Sequence, residues 1–285
     1  MNIAQLLQRS ALVHGDRPAV LAGARLLHDY RTLAARVAAL AGHLRGRCGV
    51  QAGERVAIFS ANCPEYLEAL HAIHWAGAIS VPVNYKLHPR ELAHVLSDSG
   101  ARVVCVSGAL KGDALAAGAG AAALQVLGDA AWEQAAQGAP LPLQECAPED
   151  VAWLFYTSGT TGRPKGVMQT HRNLLAMTMA YFTDVDDVRH DDAMVYAAPM
   201  SHGAGLYNYA HMLRGARHVV PESGGFDPAE LVRLAAGVGR LSLFAAPTMV
   251  HRLVEHVRST GADAGGFKTI VYGGGPMYVE DLRRA

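Results

Sequence analysis

The chain has 285 residues, 51% of them apolar, and 25 Lys and Arg balance 25 Asp and Glu. That length suits one large domain or two modest ones, and the apolar content excludes a disordered chain. A formal net charge of zero gives no general electrostatic ground for a nucleic-acid or anionic-membrane partner. The N-terminal residues lack a basic segment leading into an unbroken apolar one, so no secretory signal is expected. No uncharged apolar run approaches the ~18 residues of a membrane span. Cys48, Cys63, Cys105 and Cys146 stand apart, none in a C-x-x-C pair. Isolated thiols point to a reducing compartment, and a cytoplasmic location is expected.

Short apolar runs alternate with amphipathic stretches. Residues 55–60 (RVAIFS) read as a buried strand, and 64–75 as a helix with Pro64 in its first turn, where a missing N–H costs little. Residues 79–84 are extended, 89–98 helical, 102–106 a strand. Residues 151–156 (VAWLFY) form the next strand and run into a Gly/Thr/Ser loop. A strand at 165–169 and a helix at 171–182 follow. Then come a strand at 192–197, a helix at 206–213 and a strand at 217–220. Asp227 is placed to cap a helix, with Pro228 first and Glu230 positioned for a capping box. A strand at 240–245, a helix at 247–258, a strand at 268–272 and a helix at 276–284 complete the pattern. The Ala/Gly-rich residues 114–124 read as a loose helix or surface segment.

This alternation predicts an α/β fold of mainly parallel sheets flanked by helices. Roughly ten strands exceed what one open sheet commonly holds, so two sheets are expected. The break is placed near residues 183–191, giving sub-domains 36–183 and 1–35 plus 184–285.

The strongest chemical signal is residues 156–166, YTSGTTGRPKG. Phosphate binding needs backbone N–H groups that can point outward, hydroxyl donors and a fixed positive charge. Gly159, Gly162 and Gly166 let the backbone approach an anion. Thr157, Ser158, Thr160 and Thr161 supply hydroxyls, and Lys165, stiffened by Pro164, supplies the charge. This is not a Walker loop, because Lys165 follows Pro164 and precedes Gly166. The loop resembles the signature of the adenylate-forming, or AMP-binding, superfamily, and the chain is most similar to its acyl-CoA synthetases. Residues 61–84, 91–104, 199–203 (PMSHG) and 272–277 (YGGGPM) share that resemblance, so it covers nearly the whole chain.

The resemblance implies an incomplete N-terminal adenylation domain that grips ATP. The carboxylate of a fatty or aryl acid would attack the α-phosphate, pyrophosphate would leave, and the thiol of CoA would displace AMP from the acyl-AMP. Catalytic roles fall to Lys165 and His202. Phosphate binding falls to Thr157, Ser158, Gly159, Thr160, Thr161, Gly162 and Lys165, and adenine binding to Gly273, Gly274, Gly275 and Pro276. His202 would lie beside the carboxylate as a gate or orienting donor. Pocket walls are expected around residues 202–207 and 247–252. ATP, Mg2+ and CoA are the implied cofactors and co-substrate, with no metal ligand from this chain's side chains. The family's later parts include a glutamate for magnesium, an aspartate for ribose, a hinge and a C-terminal lid domain with the adenylation lysine. None has a counterpart in these residues, so little ligase activity is expected of the chain alone, with apolar surface exposed on a cut face. A non-catalytic nucleotide- or pyrophosphate-binding module and an amino-acid adenylation fragment are the alternatives.

Other features read as structural. Ser201 and His202 are adjacent on a turn, where side chains diverge, and no nucleophile elbow surrounds them. His71 and His74 share a helix face without a third ligand. Asp184, Asp186, Asp187, Asp191 and Asp192 fail the calcium-loop pattern and read as a solvated linker. Residues 118–123 match a dinucleotide fingerprint only weakly, following no strand.

Overall fold

The computed structural model describes residues 1–120, 124–157 and 164–285. Two six-stranded sheets carry the architecture. The first joins β1 (Pro18–Ala22), β2 (Arg25–Asp29), β9 (Ala193–Val195), β10 (Arg217–Val220), β11 (Leu241–Ala245) and β12 (Phe267–Tyr272), in the order β12-β11-β9-β10-β1-β2. The second joins β3 (Arg55–Phe59), β4 (Ile79–Val83), β5 (Val103–Ser107), β6 (Leu124–Leu127), β7 (Val151–Thr157) and β8 (Lys165–Thr170), in the order β6-β5-β3-β4-β7-β8. All pairings are parallel except β1 with β2 and β7 with β8.

Helices α1 (Gln5–Val13), α2 (Tyr30–Gly46), α3 (Pro64–Trp75), α7 (His171–Asp184) and α9 (Asn208–Leu213) supply the middle layer. Its logic is visible in β3. Val56 and Ile58 point into the large core shared with α2 and α3, whereas Ala57 and Phe59 point to a separate core. That outer core is closed by α4 (Pro89–Ser99) and α5 (Lys111–Ala116). With both faces covered, the strand is continuously apolar instead of alternating. The first sheet repeats the arrangement. Met194 and Val220 face the shared core, and Val195, Val219, Leu241 and Leu243 face α10 (Pro228–Val238) and α11 (Pro247–Thr260). The order of layers is therefore helix, sheet, helix, sheet, helix. Among the described residues, the other short α-helices are α6 (Ala130–Ala135), α8 (Gly203–Leu206) and α12 (Val279–Arg284).

Local chemistry fixes the helix ends. His88 caps α4, accepting from the Arg90 N–H while Glu91 accepts from the His88 N–H, and left-handed Gly100 (φ 63°) stops the helix. Thr170 and Asn173 form the equivalent box on α7.

Several expectations are corrected. Glu230 makes no capping box: Asp227 caps α10 alone, and the Glu230 carboxylate turns back to accept the Glu222 N–H at 2.6 Å. The expected helix at 206–213 is two short helices, α8 and α9, which meet at Tyr207. The last helix begins at Val279, because Gly273–Pro276 hold a non-helical turn. The acidic run is solvated only in part: Asp184, Asp187 and Asp191 are exposed, whereas Asp186 and Asp192 turn inward. Asp192 is fully buried and binds Lys268 Nζ at 2.5 Å and Arg240 Nε at 2.6 Å, while Asp186 accepts from Thr269 and pairs with Lys268. Burial raises the Asp192 pKa, but hydrogen bonds from Lys268, the Arg189 N–H and Arg240 outweigh it and hold the carboxyl below its ordinary range. Elements α1, β1, β2 and α2 stand outside the expected set. They put residues 18–29 into the same sheet as residues 193–272.

Candidate functional site

The segment expected to bind phosphate is flanked by an antiparallel pair. Thr157, the last residue of β7, lies opposite Lys165, the first of β8. Both are exposed at the loop's base, while Ser158, Gly159, Thr160, Thr161 and Gly162 lie outside the described residues. Helix α4 grips the base from one side. Tyr156 Oη donates to Asp98 Oδ2 at 2.6 Å, and His94 Nε2 meets the Pro164 carbonyl at 3.2 Å. Gly166 suits the place where the Tyr156 ring crosses β8: a Cβ there would sit 3.1 Å from two ring carbons and press on the ring. Burial, then the Asp98 carboxylate, pushes the Tyr156 phenol well above its usual pKa and keeps it a donor.

His202 follows β9 on a segment fixed from the other sheet's side. The buried Asn62, just ahead of α3, donates to the carbonyls of Tyr196 and Ala198 at 2.8 and 2.9 Å and accepts the Met200 N–H at 2.9 Å. The Ser201 and His202 side chains do not diverge: Ser201 Oγ lies 2.9 Å from His202 Nδ1. Burial lowers the His202 pKa, so the ring is neutral near pH 7. A cavity of about 350 Å³ brings His202 together with Asn84, Phe155, Tyr156, Thr157 and Pro164. Two residues named from the sequence, Thr157 and His202, thus share one space.

The glycine segment joins through Phe244. Gly273 donates its N–H to the Ala245 carbonyl at 3.2 Å, which continues the β11–β12 pairing into the turn. Gly274 has φ +81°, a conformation that favours glycine. The Phe244 ring lies between two glycines: a Cβ on Gly203 or on Gly273 would come within 3.0 Å of it. The ring also stacks on Tyr207 at 5.7 Å and 29°. Gly273–Pro276 sit at the carboxyl end of β12, where open α/β sheets take ligands, and are mostly exposed. Met249 and Val250 of α11 face the first sheet's outer core, which they share with Met277.

Sequence reasoning did not single out Asn62, Phe155 or Phe244. Each acts through contacts with distant parts of the chain that leave no local pattern. His71 and His74 both pack against Tyr209 but bond different partners: His71 Nε2 meets Asn208 Oδ1 at 2.9 Å and His74 Nε2 meets Ser80 Oγ at 3.0 Å. Among the described residues, no three or more His, Cys, Asp or Glu side chains group to hold a metal ion, and no helix is long and apolar enough to cross a membrane.

A family model described as "AMP-binding enzyme" matches residues 7–285. The chain belongs to this AMP-binding enzyme family. It is similar to a feruloyl-CoA synthase from Amycolatopsis sp, 36% identical over 250 residues that cover 87% of this chain and 49% of that protein. It is also similar to the long-chain-fatty-acid–CoA ligase FadD13 of Mycobacterium tuberculosis, at 30% identity over 97% of this chain and 56% of the relative. The chain thus spans about half the length of the curated relatives it matches. Among solved structures, the inhibitor-bound N-terminal domain of FACL13 from Mycobacterium tuberculosis superposes with a TM-score of 0.88 at 26% identity, covering 99% of this chain and 72% of that one. ATP-bound MatB from Rhodopseudomonas palustris gives 0.83 at 27%, covering 100% and 57%. The expected fold, two helix-flanked and mainly parallel sheets, is that of these N-terminal domains.

Proposed function

We propose that this chain binds ATP and a carboxylic acid for conversion to acyl-AMP, as the N-terminal part of an acid–CoA ligase acting on a fatty or aryl acid. The observation that carries this reading is the cavity shared by His202 and the base of the Thr157–Lys165 loop. The family match supports it.

A carboxylate cannot expel oxide, so it is first given a better leaving group. Its oxygen attacks the α-phosphate of ATP, and pyrophosphate departs. The acyl carbon of the resulting mixed anhydride then accepts the thiol sulfur of CoA, and AMP leaves. The first step is phosphoryl transfer, in which positioning and charge neutralisation dominate. Lys165 and Thr157, with residues 158–162, hold the β- and γ-phosphates. Nucleotide-bound magnesium would share that charge, with no side chain of the described residues assigned to hold it. Gly273, Gly274, Gly275 and Pro276 receive the adenine against bare backbone. His202 is neutral, and its Nδ1 is engaged by Ser201, so Nε2 meets the acid. It orients the carboxylate or gates its entry, and takes no proton in the step. A cytoplasmic location accords with four cysteines that form no disulfide.

The test is titration with non-hydrolysable acyl-sulfamoyl-adenosines carrying alkyl or aryl acyl groups. One-to-one saturable binding that depends on the acyl group is expected, and the ranking identifies the acid class. Absence of binding by every analogue and by Mg·ATP would overturn the reading. Pyrophosphate exchange into ATP stimulated by amino acids alone would overturn its acid–CoA part.

A further inference from the structure

The zero net charge of the chain conceals a local excess of positive charge. At the edge of the first sheet opposite His202, before the N-terminal ends of β9 and β10, a cavity of about 420 Å³ opens between the end of α1, residues 187–190 and the end of α9. Arg9, His14, Arg189, His190 and Arg214 line it, with Asp187 as the one acid. Asp187 is already paired with Arg189 at 3.1 Å. Arg17 stands beside the cavity, bonded to the His190 carbonyl at 3.3 Å, and its Nε is buried without a hydrogen-bond partner.

Helix ends explain part of this. The carbonyls at a helix C-terminus attract cations. Arg9 donates to the Leu213 carbonyl, the end of α9, at 3.2 Å, whereas Arg214 Nε donates to the loop carbonyl of Val188 at 2.8 Å. Each bond uses one donor of a guanidinium that has five. The remaining cations share one concave space, where their mutual repulsion is relieved if an anion enters. His14 reports the imbalance: burial, then the charges of Arg17, Arg9, His190 and Arg214, all lower its pKa. The ring is held there because left-handed Gly215 (φ +66°) leaves room for it. A Cβ at that position would collide with the imidazole.

We propose that this cavity is a second anion site, separate from the Lys165 loop, that takes a phosphate group through Arg9, Arg17 and Arg214. Guanidinium forks and a phosphate dianion match in charge and geometry. The group could come from a soluble phosphorylated metabolite or from a lipid headgroup, and both present the same chemistry.

The test uses the 285-residue chain. The His14 imidazole is titrated by NMR in chloride and in inorganic phosphate at matched ionic strength. Bound phosphate should raise the His14 pKa by about one pH unit, since it reverses the field that lowers it. The exposed-residue double variant Arg9→Gln/Arg214→Gln should lose the response. Sedimentation with phosphatidylcholine vesicles, with and without phosphatidylglycerol, separates the sources. A phosphate response without vesicle binding supports a soluble ligand. Binding to phosphatidylglycerol vesicles that the double variant lacks supports a headgroup. No response to phosphate together with no vesicle binding, or effects that survive in the double variant, would overturn the proposal. Mg·ATP binding by the double variant is expected to be unchanged, so failure here and failure at Lys165 remain distinguishable.

Discussion

The Phe155 ring meets the His202 imidazole edge to face, with centroids 6.0 Å apart and planes at 79°. Phe155 belongs to β7 of the second sheet, and His202 follows β9 of the first. This contact joins the strand that leads into the phosphate loop to the turn assigned to the acid. From there Gly203, Phe244 and Gly273 continue the connection to residues 273–276, the segment proposed for adenine.

Asn62 holds the approach to that contact. Asn62→Ala would leave two carbonyls and one N–H of residues 196–200 without their buried partner. A buried polar group left unmatched costs about 1–3 kcal/mol. We expect a stability loss of that order in urea unfolding, accompanied by weaker binding of acyl-sulfamoyl-adenosines. Asn62→Ala with unaltered analogue affinity would separate the clamp from the site.

A buried ionic network ties three helices together. Arg36 of α2 meets Glu68 of α3 at 2.5 Å and Glu133 of α6 at 2.9 Å, and Trp132 Nε1 donates to Glu68 at 2.8 Å. Burial pushes the Glu68 pKa upward, but hydrogen bonds from His28 and Arg36 prevail and lower it. Removing Glu68 leaves Arg36 its half-exposed partner Glu133, but takes the acceptor from His28 and from the buried Trp132 Nε1. Glu68→Ala should therefore cost about 1–3 kcal/mol, measured by chemical unfolding. A cost below about 1 kcal/mol would show that the pair behaves as if solvent-exposed.

Acid should destabilise the fold through its histidines. Burial lowers the pKa of His71 and of His211 to about 4. Each folded pKa lies below the unfolded value of 6.5. The unfolded chain therefore binds the protons, and stability is complete above pH 6.5 and declines as the pH falls towards 4. Each histidine contributes a slope of about 1.4 kcal/mol per pH unit across that window. Burial also lowers the pKa of His74 and His218 further, which extends the decline to lower pH. Urea unfolding at stepped pH checks this, and a flat profile through the window would contradict it.

Much of the scaffold is legible in the sequence because the physics is local. Strand β3 is apolar on both faces and is bracketed by polar residues. Pro64, Pro89 and Pro228 mark helix starts. The glycines of residues 156–166 announce a loop whose base is seen at Thr157 and Lys165. What was hidden depends on distant partners. Asp192 looks like one more acid in a polar run until Lys268 and Arg240 close over it. Glu230 fits the spacing of a capping box, yet the 221–224 turn offers its carboxylate better-placed donors. Phe244 is one apolar residue in an apolar strand, and its place is set by glycines on two other elements.

Calorimetric titration of Mg·ATP into the 285-residue chain and into its Lys165→Ala variant tests the central claim most directly. Losing a charged hydrogen-bond donor to phosphate costs about 1.5–3 kcal/mol, so saturable one-to-one binding should weaken by roughly tenfold to a hundredfold. No saturable binding by the unaltered chain, or equal affinity in the variant, would contradict the assignment of this loop to ATP.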